Sequence, residues 1–431
     1  MLGYLYWQDY KSTVPAIQQD TMKSTLPIGM ILGQVLFGIF GDAFGRRRVY
    51  GHELLLAMLG TLLVITLPPQ VTSQQGVITW VTVFRVVTGL GENLGWSRRK
   101  NVLAAFSWSG VGALGAAIVF VVLLATFRSA IEDDIRVLQW VWRLLLGIGL
   151  VPCALTLYAR LRIRETQPYR EYVEARNRRR LHGESQDEQA TAQEASHGQR
   201  GLGEQFVDFV AASARTLLAV SLIWFLFDIA FYVLHNTAVG NLIQVSAGYV
   251  PGYWVGIFLP DLLGHRRQQF LGSALVTVLY TVWAGVTTHT STGGLITLYI
   301  MAQFVLNAGM ASTTFLIPVE VFPTKVRATS HGIAAASGKL GAVVTSFAFN
   351  SAANTIGLNG VLGLLSGIMF LCTLLSYYVP ETKGLSLAGI EDDAMYKRSS
   401  TKGDVAKSLD TAATTPALGA IVHQQRLGRA V

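Results

Sequence analysis

Eleven apolar stretches recur along the chain, at residues 22–41, 51–68, 76–91, 101–127, 138–159, 214–235, 238–260, 268–288, 293–318, 329–352 and 357–379. A helix needs about 20 apolar residues to cross a bilayer core of about 30 Å. In lipid, only helices and closed barrels satisfy their own backbone polar groups. The expected fold class is therefore all-α membrane. Residues 1–7 read as the tail of a further helix whose start is absent, which makes eleven to twelve spans with the first truncated. Composition agrees: 51% of the 431 residues are hydrophobic and 14% charged, where soluble domains carry about 25% charged residues. That argues against a soluble enzyme. The net charge of +8 raises nucleic acid as a partner, but its placement along the chain points to membrane topology instead.

The basic residues fall on alternate connections: Arg46, Arg47 and Arg48; Arg98, Arg99 and Lys100; the Arg-rich stretch 160–180; Arg266 and Arg267; Lys325 and Arg327. The intervening connections are short and nearly uncharged, apart from 128–136. Under the positive-inside rule the basic set faces the cytoplasm. The polar stretch 161–213 then reads as a cytoplasmic linker, partly disordered and partly an amphipathic surface helix. It separates an N-terminal bundle, 1–160, from a C-terminal bundle, 214–379, which is followed by a cytoplasmic tail, 380–431. A repeat supports the split. Asp42-x-x-Gly45-x-Arg47-Arg48 follows one apolar stretch, and Asp261-x-x-Gly264-x-Arg266-Arg267 follows another at the matching place in the second half. Internal duplication of this kind is common in transporters.

One carboxylate lies inside an apolar run. Residues 216–233 hold Asp228, with Trp224 four residues before it and Tyr232 four after. At helical spacing the three share a face. An acid within a membrane span is costly, and by default it faces a partner or a wet cavity where it does work. In the connecting loop, Asp42 is placed to hold Arg46, Arg47 or a helix terminus in one state and to release it in another. Gly45 suits the tight turn there.

Gly38-Ile-Phe-Gly-Asp42-Ala-Phe-Gly45-Arg-Arg-Arg resembles the loop signature of the major facilitator superfamily. The stretch from Pro318 to Lys339, which contains Glu320, Pro323, Arg327, His331 and Ser337, closely resembles the tenth-to-eleventh helix region of fungal and plant phosphate:proton symporters. Trp224-Phe-Leu-Phe-Asp228-Ile-Ala-Phe-Tyr232 is similar to that family's seventh-helix signature, and Pro380-Glu-Thr-Lys-Gly384 to its exit from the last helix. The resemblance implies a major facilitator fold of two six-helix bundles and a multi-pass protein of the plasma membrane. It implies secondary transport by alternating access, with inorganic phosphate and protons as partners and no cofactor. It also implies that Trp224, Asp228 and Tyr232 line a central phosphate site, that Lys339 lies near the route, and that Asp228 couples the proton. Glu320 and Arg327 are then expected to pair structurally at the cytoplasmic helix ends, as part of a gate with Asp42, Arg85, Asp261 and Arg266.

The chain also departs from that family. The family's first-helix Asp has no counterpart. Its fourth-helix Gly-Gly-Asp-Tyr-Pro is replaced by Gly89-Leu-Gly91-Glu92-Asn-Leu-Gly-Trp96, which leaves a short span with Arg85 inside it. Ser109 stands where the family has Gln, and Ala311 where it has Asn. The last two changes leave room for an organic anion or metabolite as substrate. The shortened helices leave room for a sensor or remnant that does not transport.

Other motifs read as packing. Gly110-Val-Gly112-Ala-Leu-Gly115 matches a dinucleotide fingerprint but lies in an apolar span, without the strand that such a site needs. Small residues in spans allow close helix approach, and Gly29-x-x-x-Gly33 reads the same way. Cys153 and Cys372 both fall in apolar runs.

Overall fold

The computed structural model describes residues 1–8, 11–44, 49, 51–68, 71, 73–92, 99–161, 202–237, 242–323 and 326–383. No strand occurs among them. The first half consists of α1 (Leu2–Tyr6), α2 (Ala16–Phe44), α3 (His52–Ile65), α4 (Gln74–Gly91), α5 (Arg99–Thr126), the short α6 (Arg128–Asp133) and α7 (Leu138–Leu161). The second half consists of α8 (Leu202–Thr237), α9 (Leu242–Leu263), α10 (His265–Val286), α11 (Thr292–Val321) and α12 (Arg327–Leu375). Eight segments among the described residues are long and apolar enough to cross a membrane.

The expected segments are present, with three adjustments. The apolar runs 329–352 and 357–379 form two arms of α12, broken at Gly357, whose φ of 69° only glycine adopts without strain. The seventh-helix segment begins at Leu202, inside the stretch expected to be linker. Phe206, Val207, Phe209 and Val210 give that extension a helical apolar period. The α4 helix has 18 residues, about 27 Å at 1.5 Å per residue, which falls just short of the hydrocarbon core. The residues 162–201 and 384–431, which hold most of the expected linker and tail, lie outside the described residues.

Each half has its own apolar cluster. Trp7, Val64, Leu67, Val77, Ile78, Val81 and Trp142 close one end of the first half. Trp7 is fully buried and its indole N–H donates to Gln18 Oε1 at 3.1 Å. The second half packs around Ile223, Trp224, Tyr280, Leu306, Met310 and Leu362. Small residues decide where helices touch. A methyl group on Gly29 or Gly33 would collide with the carbonyls of Val86 or Leu90 on α4. The Gly110 run packs only in part: Gly110 meets Tyr253 and Val250 of α9, while Gly112 and Gly115 face open space.

The α11 helix carries a π-helical turn, Leu306–Ala311, buried along its whole length. Such a turn loosens the regular backbone ladder, and neighbours take up the slack. Gln268 Nε2 of α10 donates to Ala308 O at 2.7 Å, and Ser312 Oγ donates to Asn307 O at 3.1 Å.

Candidate functional site

The two halves meet around a cavity of about 400 Å³. Its walls come from α2, α3, α4 and α7 on one side and from α8, α9, α11 and α12 on the other. Trp224, Asp228 and Lys339 are on the wall together, as are Glu92, Arg160, Gln34 and Tyr253. The remaining wall is largely aliphatic and aromatic, with Met30, Leu54, Met58, Phe227, Phe231 and Phe315 among its residues.

Helical spacing does bring Trp224, Asp228 and Tyr232 to one face of α8, and α12 supplies the cation they lack. Lys339 Nζ donates to Asp228 Oδ2 at 3.0 Å and to the Tyr232 hydroxyl at 3.2 Å. The same ammonium lies 5.1 Å from the Tyr232 ring centroid. Asp228 is 2% exposed, so neither charge of the pair could be removed alone without leaving the other stranded in a dry environment. The Trp224 indole is a further donor toward Asp228. It packs on the backbone at Gly338, where any side chain would strike it. Behind Trp224 stand the rings of Phe315, at 5.4 Å, and His331, at 5.3 Å, both edge-on. His331 is therefore a packing partner of the site. Tyr232 is not on the cavity wall and reaches it through Lys339.

The first half faces this pair with Glu92, which ends α4 and whose charge acts on both Lys339 and Arg85. Arg85 is half-buried in α4. Ser109, at the position of a family Gln, hydrogen-bonds Tyr253. Ala311, at the position of a family Asn, lies on the cavity wall at the end of the π turn. Sequence reasoning missed the Glu53–Arg160 ion pair, which joins α3 to α7 at 3.2 Å. It also missed Gln34 and Tyr253 as wall residues. None of these carries a local signal beyond being polar in an apolar run.

Asp42, Asp261, Arg266, Glu320 and Arg327 of the expected gate lie toward one end of the molecule, while Arg85 lies within α4 beside Glu92. Asp42 at the end of α2 accepts from the backbone N–H groups of Ala328 (3.2 Å) and Thr329 (2.7 Å) and from Thr329 Oγ1 (2.9 Å). It caps the N-terminus of α12, where unsatisfied donors and the helix dipole favour an anion. Among the described residues, the helix terminus is an observed partner of Asp42. Gly45, Arg46 and Arg47 lie outside the described residues. Directly below the cavity, α2 and α12 press together. A methyl group on Gly38 would stand 2.8 Å from Ala328 O, and one on Gly332 would overlap Gln34 O.

The matching corner of the second half is built differently. Gly264 has φ 86° and starts α10. Glu381 accepts from the backbone N–H groups of His265 (3.0 Å) and Arg266 (3.3 Å). The Arg266 guanidinium lies over the Tyr377 ring at 5.7 Å. Thr382 Oγ1 donates to Glu320 Oε2 at 2.6 Å and also touches His265 Nδ1. Arg327 Nε donates to Phe322 O at 2.8 Å. Asp261 stands in the last turn of α9, just before Gly264. Partial burial works against the Glu381 charge. Backbone donors from Lys383, His265 and Arg266, together with the His265 ring, outweigh it and hold the carboxyl below its ordinary range.

Residues 98–394 match the family model described as sugar (and other) transporter. The chain belongs to that family. Among curated relatives of this transporter, a repressible high-affinity phosphate permease of Neurospora crassa is 30% identical over 90% of the chain and 81% of its own length. An inorganic phosphate transporter of Saccharomyces cerevisiae is 28% identical over 91% and 80%. A solved proton:xylose symporter of the major facilitator superfamily superposes with a TM-score of 0.63 at 18% identity, covering 90% of this chain and 96% of that one. The transporter therefore has the major facilitator fold.

Proposed function

We propose that this transporter moves inorganic phosphate together with protons by alternating access, with Asp228 and Lys339 as the coupling pair. The observation that carries the reading is the Lys339 ammonium held between Asp228 and Tyr232 on the wall of a cavity shared by both halves. While Asp228 is ionised it occupies the ammonium. A proton arriving at Asp228 breaks the pair, and Lys339 becomes an anion receptor in a site poor in water. A monovalent anion and a proton then enter with no net charge added, which keeps the desolvation cost low. The Trp224 N–H is a further donor for phosphate oxygens, and the Tyr232 hydroxyl holds Lys339 from behind the wall. The names of the relatives support the substrate. Asp42 forms the opening contact of the gate at the linker end, with Glu320, Asp261, Arg266 and Arg327 at the corner that supports it, and we assign this end to the cytoplasm. The protein sits in the plasma membrane with its linker and tail on that side. Arg85, beside Glu92, balances charge on the first-half wall.

The test is phosphate uptake into proteoliposomes under an imposed proton gradient. The unaltered chain takes up phosphate faster when the outside is acidic. Asp228→Asn lowers uptake by about tenfold, or ~1.4 kcal/mol, and loses its pH dependence. Lys339→Met loses phosphate binding. Full, pH-dependent uptake by Asp228→Asn would sink the proposal.

A second reading has its own observation. The cavity is large and mostly apolar, a size and lining suited to small organic ligands. An organic anion would use the same Lys339. Competition of uptake by organic phosphates or carboxylates, with none by inorganic phosphate, favours this reading.

A further inference from the structure

Gln34 lies on α2 just over two turns before Asp42, where the cavity ends against the closed α2–α12 contact. It lines the cavity, is only 5% exposed, and its side-chain oxygen Oε1 is buried with no hydrogen-bond partner. A buried acceptor left unpaired is costly, so the site favours any state that brings a donor to it. The charged groups on the same wall are Glu92, Arg160, Asp228 and Lys339. Arg160 is engaged by Glu53, and Lys339 by Asp228 and Tyr232. In this state both cations are committed elsewhere, and once Lys339 is released it serves the anion, so the missing donor fits a group that the ligand brings with it.

We infer that Gln34 is a specificity residue that accepts a hydrogen bond from an acidic hydroxyl of the transported anion. The inference rests on the phosphate reading above and adds the form of the anion that is selected. Phosphate near neutral pH still carries hydroxyl protons. Sulfate is tetrahedral and of similar size but carries none, and would leave Gln34 unpaired. A site that needs a ligand hydrogen strongly rejects an isostere that lacks it.

The experiment measures phosphate and sulfate binding to the purified full-length chain, with Gln34→Met and Gln34→Asn beside the unaltered protein and thermal unfolding as the check on folding. The expected result is preference for phosphate over sulfate in the unaltered chain. In Gln34→Met, phosphate binding is weakened about fivefold to tenfold, the scale of one hydrogen bond, while sulfate binding is unchanged. The difference between the two proteins persists on both sides of neutral pH, because monovalent and divalent phosphate each keep a hydroxyl hydrogen. Gln34→Asn, which keeps an amide, recovers part of the preference. If Gln34→Met folds and keeps the full preference, the inference is wrong and the phosphate reading stands. If it loses phosphate and sulfate binding equally at every pH, Gln34 acts only through packing and the inference is again wrong. If the unaltered chain binds no phosphate, the reading fails and takes the inference with it.

Discussion

The two halves carry the same loop motif, and the capping carboxylates observed at the two corners act in opposite ways. At the end of α2, Asp42 reaches across to the other half and caps α12. At the start of α10, the capping carboxylate is Glu381, from the same half and only a few residues beyond the last span. The first contact lies between bodies that alternating access must separate. The second lies within one body and can persist through the cycle. The motif of the first half thus supplies a breakable latch, while Glu381, from beyond the second copy, supplies a permanent brace.

The contrast can be broken most severely at the latch interface. Gly332→Leu forces a side chain into the backbone of Gln34 and is expected to hold the linker end open. Accessibility of a cysteine introduced near Ala328 would rise to near its maximum, and uptake would be lost; unchanged accessibility would refute the latch. The brace gives the next largest effect. Glu381→Ala leaves two helix-start donors of α10 uncapped and should cost about 1–2 kcal/mol, read as a lower unfolding temperature without greater accessibility at Ala328. Asp42→Asn should do the reverse, raising accessibility several-fold while leaving the unfolding temperature nearly unchanged. Equal changes in both variants would erase the distinction between latch and brace.

The smallest effect is on pH. Because the Glu381 carboxyl is held below its ordinary value of 4.5, it is ionised in the folded protein where the unfolded chain would already bind a proton. Its contribution is complete above that ordinary value and is lost as pH falls through the depressed one. The gap in unfolding temperature between the unaltered chain and Glu381→Gln should therefore close on acidification. A gap constant down to strongly acidic pH would mean that charge is not what the brace uses.

The helices were legible because lipid leaves a chain few options, and apolar runs of the right length mark them directly. The shared face of Trp224, Asp228 and Tyr232 was legible from spacing alone. Lys339 was placed near them only by family resemblance, since it lies 111 residues from Asp228 and no local pattern ties the two. The Asp42 latch spans 287 residues to Thr329. The sequence offered its partners as alternatives, because a carboxylate at a helix end serves a turn or a distant terminus equally well. Gln34 looked like any polar residue in a span, for the lack of a hydrogen-bond partner is a property of packing and not of spacing.

The π turn in α11 sets the angular phase of one wall of the cavity. One residue beyond the regular count turns everything after it by about 100° around the helix axis. Tyr299 and Gln303, before the turn, can therefore face the interior of the second half while Ala311, at its end, and Thr314 and Phe315, after it, face the cavity. Deleting one residue between Leu306 and Ala311 would restore the regular count and swing those three side chains off the wall, although no wall residue had been changed. The chemistry of that wall is therefore stored partly as a count of residues, which a comparison of residue types position by position does not register.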